Sequence, residues 1–279
     1  PALKAADIGV AMGVAGTEVA KEAARMILAN DHFATIVLAV REGRGVLDNI
    51  RKFLRYLLSS NLGEVLTVFL GVVGAGVIGL QAGSAEGNPM GNELVLPLLA
   101  TQILWINLIT DTGPALAMGV DPIAEDLMML PPRRRDSRVI DARMWAGIVF
   151  NGMVMALLTL LTMDMFLPGG LVDGHEDLTL ARTAGFTVLV LAQLFNCFNA
   201  RSETGTALRG LFANRWLWGA VALSAALQVA VVHLPFLNQA FGTAPLSLQQ
   251  WLVCLVLASG VLWLSELRKW VLRSLRKPA

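Results

Sequence analysis

The sequence is short of charge. Only 15% of its 279 residues are Asp, Glu, Lys or Arg, against about 25% in a typical soluble domain. By contrast 55% are apolar, and the mean hydropathy is +0.61. That balance excludes an ordinary water-soluble globule and points to a chain built largely for lipid. Cysteine is scarce too. Cys197 and Cys254 stand far apart inside apolar runs and no CxxC occurs. Neither a zinc site nor a disulfide framework is therefore expected, and both thiols are expected to be buried and inert. His32, His175 and His233 lack ligand-like spacing and are expected to be solvated or locally paired. There is no internal repeat, no low-complexity tract and no signal-peptide pattern. The chain opens at Pro1 rather than Met, as a piece of something longer would.

What is abundant is apolar sequence. Six runs, near 57–80, 96–119, 144–167, 183–200, 216–234 and 250–267, reach the length of about 20 residues that crosses a bilayer. Gln193, Asn196 and Asn199 interrupt the fourth. The stretches LQAGSAEGNPMGNE, PGGLVDGHEDLTLAR and PFLNQAFGTAPLSL read as loops. These three loops lie on one side and hold Arg182; the other side holds every remaining member of the 22 Lys and Arg. Such asymmetry predicts that both ends are cytoplasmic. Trp145, Trp216, Trp218, Trp251 and Trp270 fall near span ends, as an interfacial belt would.

The first 56 residues differ in character. DIGVAM alternates like a short strand. GTEVAKEAARMI follows as a helix, with Thr17 as its N-cap. From FATIVLAV onward one helix is expected to run through Arg41, Arg44, Arg51, Lys52 and Arg55 into the first span. A strand–helix piece of this size cannot bury its own core. Residues 1–40 are thus expected to belong to a larger soluble domain, 41–56 to be a stalk and 57–279 to be the membrane domain. The fold class is mainly α: a bundle of six spans with a small α/β remnant before it. No nucleic-acid partner is expected; the bilayer is.

Two of the 21 acids, Glu64 and Asp111, sit deep in spans, at a cost of at least about 2.5–3.5 kcal/mol each. Asp164 and Glu266 lie near span ends. Asn61 and Glu64 stand at i and i+3, and Asn107, Thr110 and Asp111 at i, i+3 and i+4, so each set shares a helix face. Gly113-Pro114 removes a backbone donor and disturbs the preceding turn, which frees carbonyls near Asn107–Asp111. Broken backbone is tolerated at membrane depth where it is buried in protein or lines a cavity. Carboxylates, amide oxygens, a hydroxyl and carbonyls are hard ligands that suit a cation such as Ca²⁺. The alternatives are simple hydrogen bonding between helices, a passive channel or secondary transporter using the same acids, and an accessory membrane subunit. A channel has no need of the strand–helix piece.

PALKAADIGVAMG…GTEVAKEAA, DNIRKFLRYLLSSNLGEV and INLITDTGPALAMGVDP, in that order, resemble the C-terminal part of P-type cation-transporting ATPases, closest to their calcium-pump branch. The resemblance is dense over 1–143 and rests mainly on spacing in the last three spans. It implies the last six of ten membrane helices, preceded by the end of a Rossmann-like phosphorylation domain. It also implies ATP and Mg²⁺ as cofactors, used outside this chain, because the DKTGT segment and the acids of GDGxNDxPA are absent here. The implied partners are the actuator, nucleotide and phosphorylation domains and the first four helices. Asn61, Glu64, Asn107, Thr110 and Asp111 fall on ion-coordinating positions of the resembled pumps. Gln193 stands where sarcoplasmic-type pumps carry a glutamate, which removes one charge and makes one ion per cycle an alternative; the alternative cargoes are Mn²⁺ and Na⁺ or K⁺. Asn107 departs from the acid of the sodium/potassium branch. The Ala-, Gly- and Val-rich composition suggests a bacterial plasma membrane.

Overall fold

The computed structural model describes residues 1–80, 95–133, 138–168, 171–172, 174, 176–203, 205–207 and 210–275. The loop expected after Leu80 and His175 lie outside them. The chain divides into two compact units, Pro1–Asp48 with Pro122–Arg134, and Asn49–Asp121 with Arg135–Ala279. The division falls inside the stretch expected as a stalk.

In the first unit a short helix α1 (Ala2–Ala5) precedes strand β1 (Val10–Met12), helix α2 (Glu18–Ala23) and strand β2 (Met26–Leu28). β1 and β2 pair in parallel, Val10 opposite Met26, and α2 makes the crossover that parallel pairing requires. Thr17 caps α2 by accepting from the Ala20 N–H. Met26 and Ile27, expected to continue the helix, belong instead to β2: Ala24 leaves the helix with extended backbone angles. Asp31, at φ 52°, accepts from the Val14 and Ala15 amides at 3.0 and 2.7 Å. Those amide donors, Val14 first, hold its carboxyl below the ordinary value. Ala11 and Leu28 are buried, whereas Ile8, Val19, Ile27 and Phe33 are exposed.

The 40-residue helix α3 (Ala34–Val73) is about 60 Å long at 1.5 Å per residue. It stops short of the expected 57–80 span end, and turns follow. In the second unit the run at 96–119 is not one helix. It divides into α4 (Ala100–Trp105), a π-helical turn (Ile106–Thr110) and α5 (Thr112–Gly119). Next come α6 (Ala142–Phe166), α7 (Leu178–Ala200), α8 (Arg215–His233), a short α9 (Pro235–Phe241) inside an expected loop, and α10 (Leu248–Ser274). Among the described residues five helices, α3, α6, α7, α8 and α10, are long and apolar enough to cross a membrane.

The core of this unit forms around α7, which is buried on nearly every side, as a central helix should be. Met155 and Met163 of α6, Phe186 and Leu189 of α7 and Val261 of α10 share one apolar cluster. α3 approaches α6 where Gly63 faces Gly152: a Cβ on Gly152 would sit 3.1 Å from the Leu62 side chain and 3.2 Å from the Gly63 nitrogen. Small residues permit this close helix contact. Cys197 and Cys254 are free and buried. His233 is locally paired, accepting from the Trp251 indole at 3.0 Å.

Candidate functional site

The break in the second apolar run follows from Pro114. It has no N–H to give the Thr110 carbonyl four residues back, and its ring crowds that carbonyl. The slack is taken up upstream: the Asp111 N–H bonds the Ile106 carbonyl, five residues back, at 2.9 Å. A π turn of this kind kinks a helix and is frequent at functional sites. The carbonyls expected to be freed are partly claimed by hydroxyls. Thr110 O accepts from Ser224 Oγ at 3.1 Å and Asn107 O from Thr112 Oγ1 at 3.2 Å.

α3 passes this turn in the opposite direction. Tyr56 reaches Asp111, and Glu64, two turns further along α3, reaches Asn107. Glu64, 4% exposed, has both oxygens held by amides. Asn107 Nδ2 donates to Oε2 at 2.6 Å and Gln193 Nε2 of α7 donates to Oε1 at 2.9 Å. Asp111 is fully buried. Its Oδ1 accepts from the Tyr56 phenol at 2.7 Å, while its Oδ2 and the Gln193 Oε1 are buried without a donor. Thr110 lies beside them, its hydroxyl donating to the Ile106 carbonyl at 3.1 Å.

Of the residues singled out in the sequence, Glu64, Asn107 and Gln193 are thus directly joined, with Thr110 and Asp111 adjacent in the same turn. Asn61 is exposed and outside this network. Asn196 and Asn199 serve as ties between helices. Asn196 Nδ2 donates to Ser59 Oγ at 2.7 Å, and Asn199 Nδ2 to the Val261 carbonyl at 3.2 Å. The first tie extends outward, since Asn151 donates to Asn196 Oδ1 at 3.1 Å and accepts from Ser265 at 2.6 Å.

Two features escaped the sequence reading. Tyr56 is the chain's single tyrosine and stands eight residues, about two helical turns, before Glu64; nothing in the local spacing marked it. The second is a buried ionic junction at Asp121, just beyond α5. Lys52 Nζ donates to its Oδ2 at 2.8 Å, Arg201 Nε to Oδ1 at 3.1 Å and Asn214 Nδ2 to Oδ1 at 3.0 Å. Asn49 Nδ2 takes its backbone carbonyl at 2.9 Å. One carboxylate therefore ties α3, the end of α5, the end of α7 and the N-cap of α8.

Chemically, the centre is a set of oxygens. Two carboxylates and two amides lie here, with the Thr110 hydroxyl in the same turn as Asp111, and two of the buried oxygens lack donors. Such a set fits a hard cation. Among the described residues no group of three or more His, Cys, Asp or Glu that could hold a metal ion occurs.

Comparison with known proteins identifies the family. Residues 95–271 match the family described as "Cation transporting ATPase, C-terminus". The chain is 39% identical over 253 residues to "Calcium-transporting ATPase" of Bacillus subtilis, covering 91% of this chain and 26% of the relative. It is 36% identical over 274 residues to "Calcium-transporting ATPase 1" of Schizosaccharomyces pombe, covering 98% and 28%. It is 35% identical over 322 residues to "Calcium-transporting ATPase 4, endoplasmic reticulum-type" of Arabidopsis thaliana, covering 97% and 29%. The chain thus spans under a third of the length of each of these relatives. With the family pattern over more than half its residues and such identity along nearly all of it, the chain belongs to the P-type cation-transporting ATPases and corresponds to their C-terminal part.

Proposed function

We propose that this chain is the ion-carrying membrane part of an ATP-driven pump whose cargo is Ca²⁺. The observation that carries the reading is the burial of two carboxylates, Glu64 and Asp111, beside a broken helix, with Asp111 Oδ2 and Gln193 Oε1 lacking donors. A cation there supplies the compensation that buried carboxylates need. Glu64, Asp111, Asn107, Thr110 and Gln193 offer seven side-chain oxygens, within the six to eight that Ca²⁺ takes. Asn61 would join only through rearrangement of its exposed side chain.

In this reading α4, the π turn and α5 together make one interrupted crossing, which brings the spans to six and places both ends in the cytoplasm. Residues 1–40 close the phosphorylation domain, and the exposed Ile8, Val19, Ile27 and Phe33 pack within its remainder. ATP and Mg²⁺ act in that remainder, together with the actuator and nucleotide domains and four further helices. α3 carries Tyr56 and Glu64 on the same helix as the basic stalk, so its displacement on phosphorylation would change how tightly the cation is held. Gln193 contributes no charge, which favours a single bound ion.

The test is equilibrium Ca²⁺ binding by the complete pump, wild type against Glu64→Gln. One ion per wild-type pump, lost in the variant, supports the assignment. Binding of Mn²⁺ in place of Ca²⁺ moves the cargo within the divalent cations, and no divalent binding contradicts the reading.

A further inference from the structure

Asn49, Lys52 and Tyr56 stand at i, i+3 and i+7 on α3 and so share one helix face. All three reach the segment that follows the π turn. Tyr56 donates to Asp111, at the head of α5. Asn49 Nδ2 reaches the far end, donating to the Gly119 and Asp121 carbonyls at 3.3 and 2.9 Å. Carbonyls at a helix end have no donor within the helix, so this amide meets a need that the end of α5 creates. Lys52 Nζ adds the ion pair with Asp121 Oδ2 at 2.8 Å. The lengths match as well. Asn49 to Tyr56 on α3 and Thr112–Gly119 on α5 each run about 10–12 Å at 1.5 Å per residue. α5 is thus fastened along α3 at both ends.

α7 and α8 hold it at one end. Asn214 Nδ2, at the N-cap of α8, donates to the Ala117 carbonyl at 2.8 Å and to Asp121 Oδ1 at 3.0 Å, and Arg201 Nε, at the end of α7, donates to Asp121 Oδ1 at 3.1 Å. A segment held at both ends follows its holder, whereas one held at a single end pivots there. The π turn supplies the joint at the head of α5, since it separates α4 from α5 and a few element-terminal residues suffice for a hinge. Lys52 is also the tie that can be cut alone. With it removed, Asp121 keeps Arg201 and Asn214 as partners, so no buried carboxylate is left bare.

We propose that Lys52 is a positioning residue that fastens α5 to α3, so that Asp111 moves together with Glu64 when α3 is displaced. Both carboxylates then meet and leave the cation in one step. The inference rests on the pump reading and adds to it the tie by which motion of α3 reaches Asp111.

The test compares wild type, Lys52→Met, Lys52→Arg and Arg201→Met in the complete pump. Two quantities are read: Ca²⁺ delivered per ATP hydrolysed in sealed vesicles, and amide hydrogen exchange over Thr112–Gly119 by mass spectrometry. Lys52→Met is expected to lower the ratio at least about twofold, the lower end of such coupling effects. It is expected to speed exchange in α5 about tenfold, the worth of one charge-assisted hydrogen bond. Lys52→Arg is expected to restore most of both. Arg201→Met takes a cation of similar burial from the same carboxylate, the two side chains being 11% and 7% exposed, and is expected to keep the wild-type ratio. A pump that is merely destabilised loses uptake and hydrolysis in proportion, which leaves the ratio unchanged. Either quantity unchanged in Lys52→Met overturns the proposal, and so do equal effects of Lys52→Met and Arg201→Met. Absence of ATP-driven uptake in the wild type counts against the pump reading; the exchange comparison then still decides whether Lys52 fastens α5.

Discussion

Removing the carboxylate of Asp121 should be among the most damaging single changes in the membrane unit. Its side chain is 3% exposed and that of Lys52 7%. At their 2.8 Å separation the gross attraction is about 6 kcal/mol for an effective dielectric constant near 20. Burying two charges costs several kcal/mol per ion, so the intact pair comes close to breaking even. Removing one partner does not. Asp121→Ala takes the carboxylate from both Lys52 and Arg201 and leaves Asn214 short of an acceptor, for an expected loss of about 3–5 kcal/mol. At about 2 °C per kcal/mol for a chain of this size, the melting temperature falls by on the order of 10 °C. Lys52→Met in the Asp121→Ala background should recover about 1–2 kcal/mol, because one of the two cations no longer needs that carboxylate. The assay is thermal unfolding of the purified protein in detergent at neutral pH, run as a double-mutant cycle. Asp121→Ala within about 0.5 kcal/mol of wild type, the range of an ordinary surface substitution, would refute the reasoning, as would strict additivity of the two changes.

Gln193→Glu replaces a donor 2.9 Å from Glu64 Oε1 with a second acid. Without cation the variant should lose about 1–3 kcal/mol of stability, and added Ca²⁺ should raise its melting temperature more than that of wild type, since affinity follows ligand charge; an unchanged response to Ca²⁺ speaks against Gln193 as a site wall. Asp141 caps α6 by accepting from the Met144 N–H, and that bond, opposed by partial desolvation and helped by Arg51, lowers its pKa from 3.8. A depressed folded pKa means stability that is present above the ordinary value and lost as pH falls through the folded one. Asp141→Ala should therefore cost about 1 kcal/mol at pH 7, and the gap from wild type should close below pH 3.8; a gap that persists there in acid unfolding curves argues against the cap.

The long helices were legible because lipid demands unbroken apolar runs, and α6, α7, α8 and α10 lie where those runs do. Glu64 and Asp111 were legible for the opposite reason, as carboxylates where a carboxylate is costly. Sequence spacing was less reliable for their neighbours. Residues at i and i+3 are about 60° apart around a helix, enough for Glu64 to turn toward Asn107 and Gln193 while Asn61 is left exposed. Gly113-Pro114 announced a break, yet which residues would absorb it depended on Ser224 from α8 taking the Thr110 carbonyl. Tyr56 and Asp121 were not singled out in the sequence. Both acquire their roles from partners more than 50 residues away along the chain, which local pattern does not reveal. The short β2 was missed for the same reason: its pairing with β1 outweighs the helical look of EAARMI.

The central claim is that Asp111 belongs to the path of the transported cation. The most direct test is ATP-driven uptake of radioactive calcium into inverted vesicles carrying the complete pump, wild type beside Asp111→Asn. Uptake by the wild type and none by the folded variant is the predicted result. A full rate in Asp111→Asn would contradict the account.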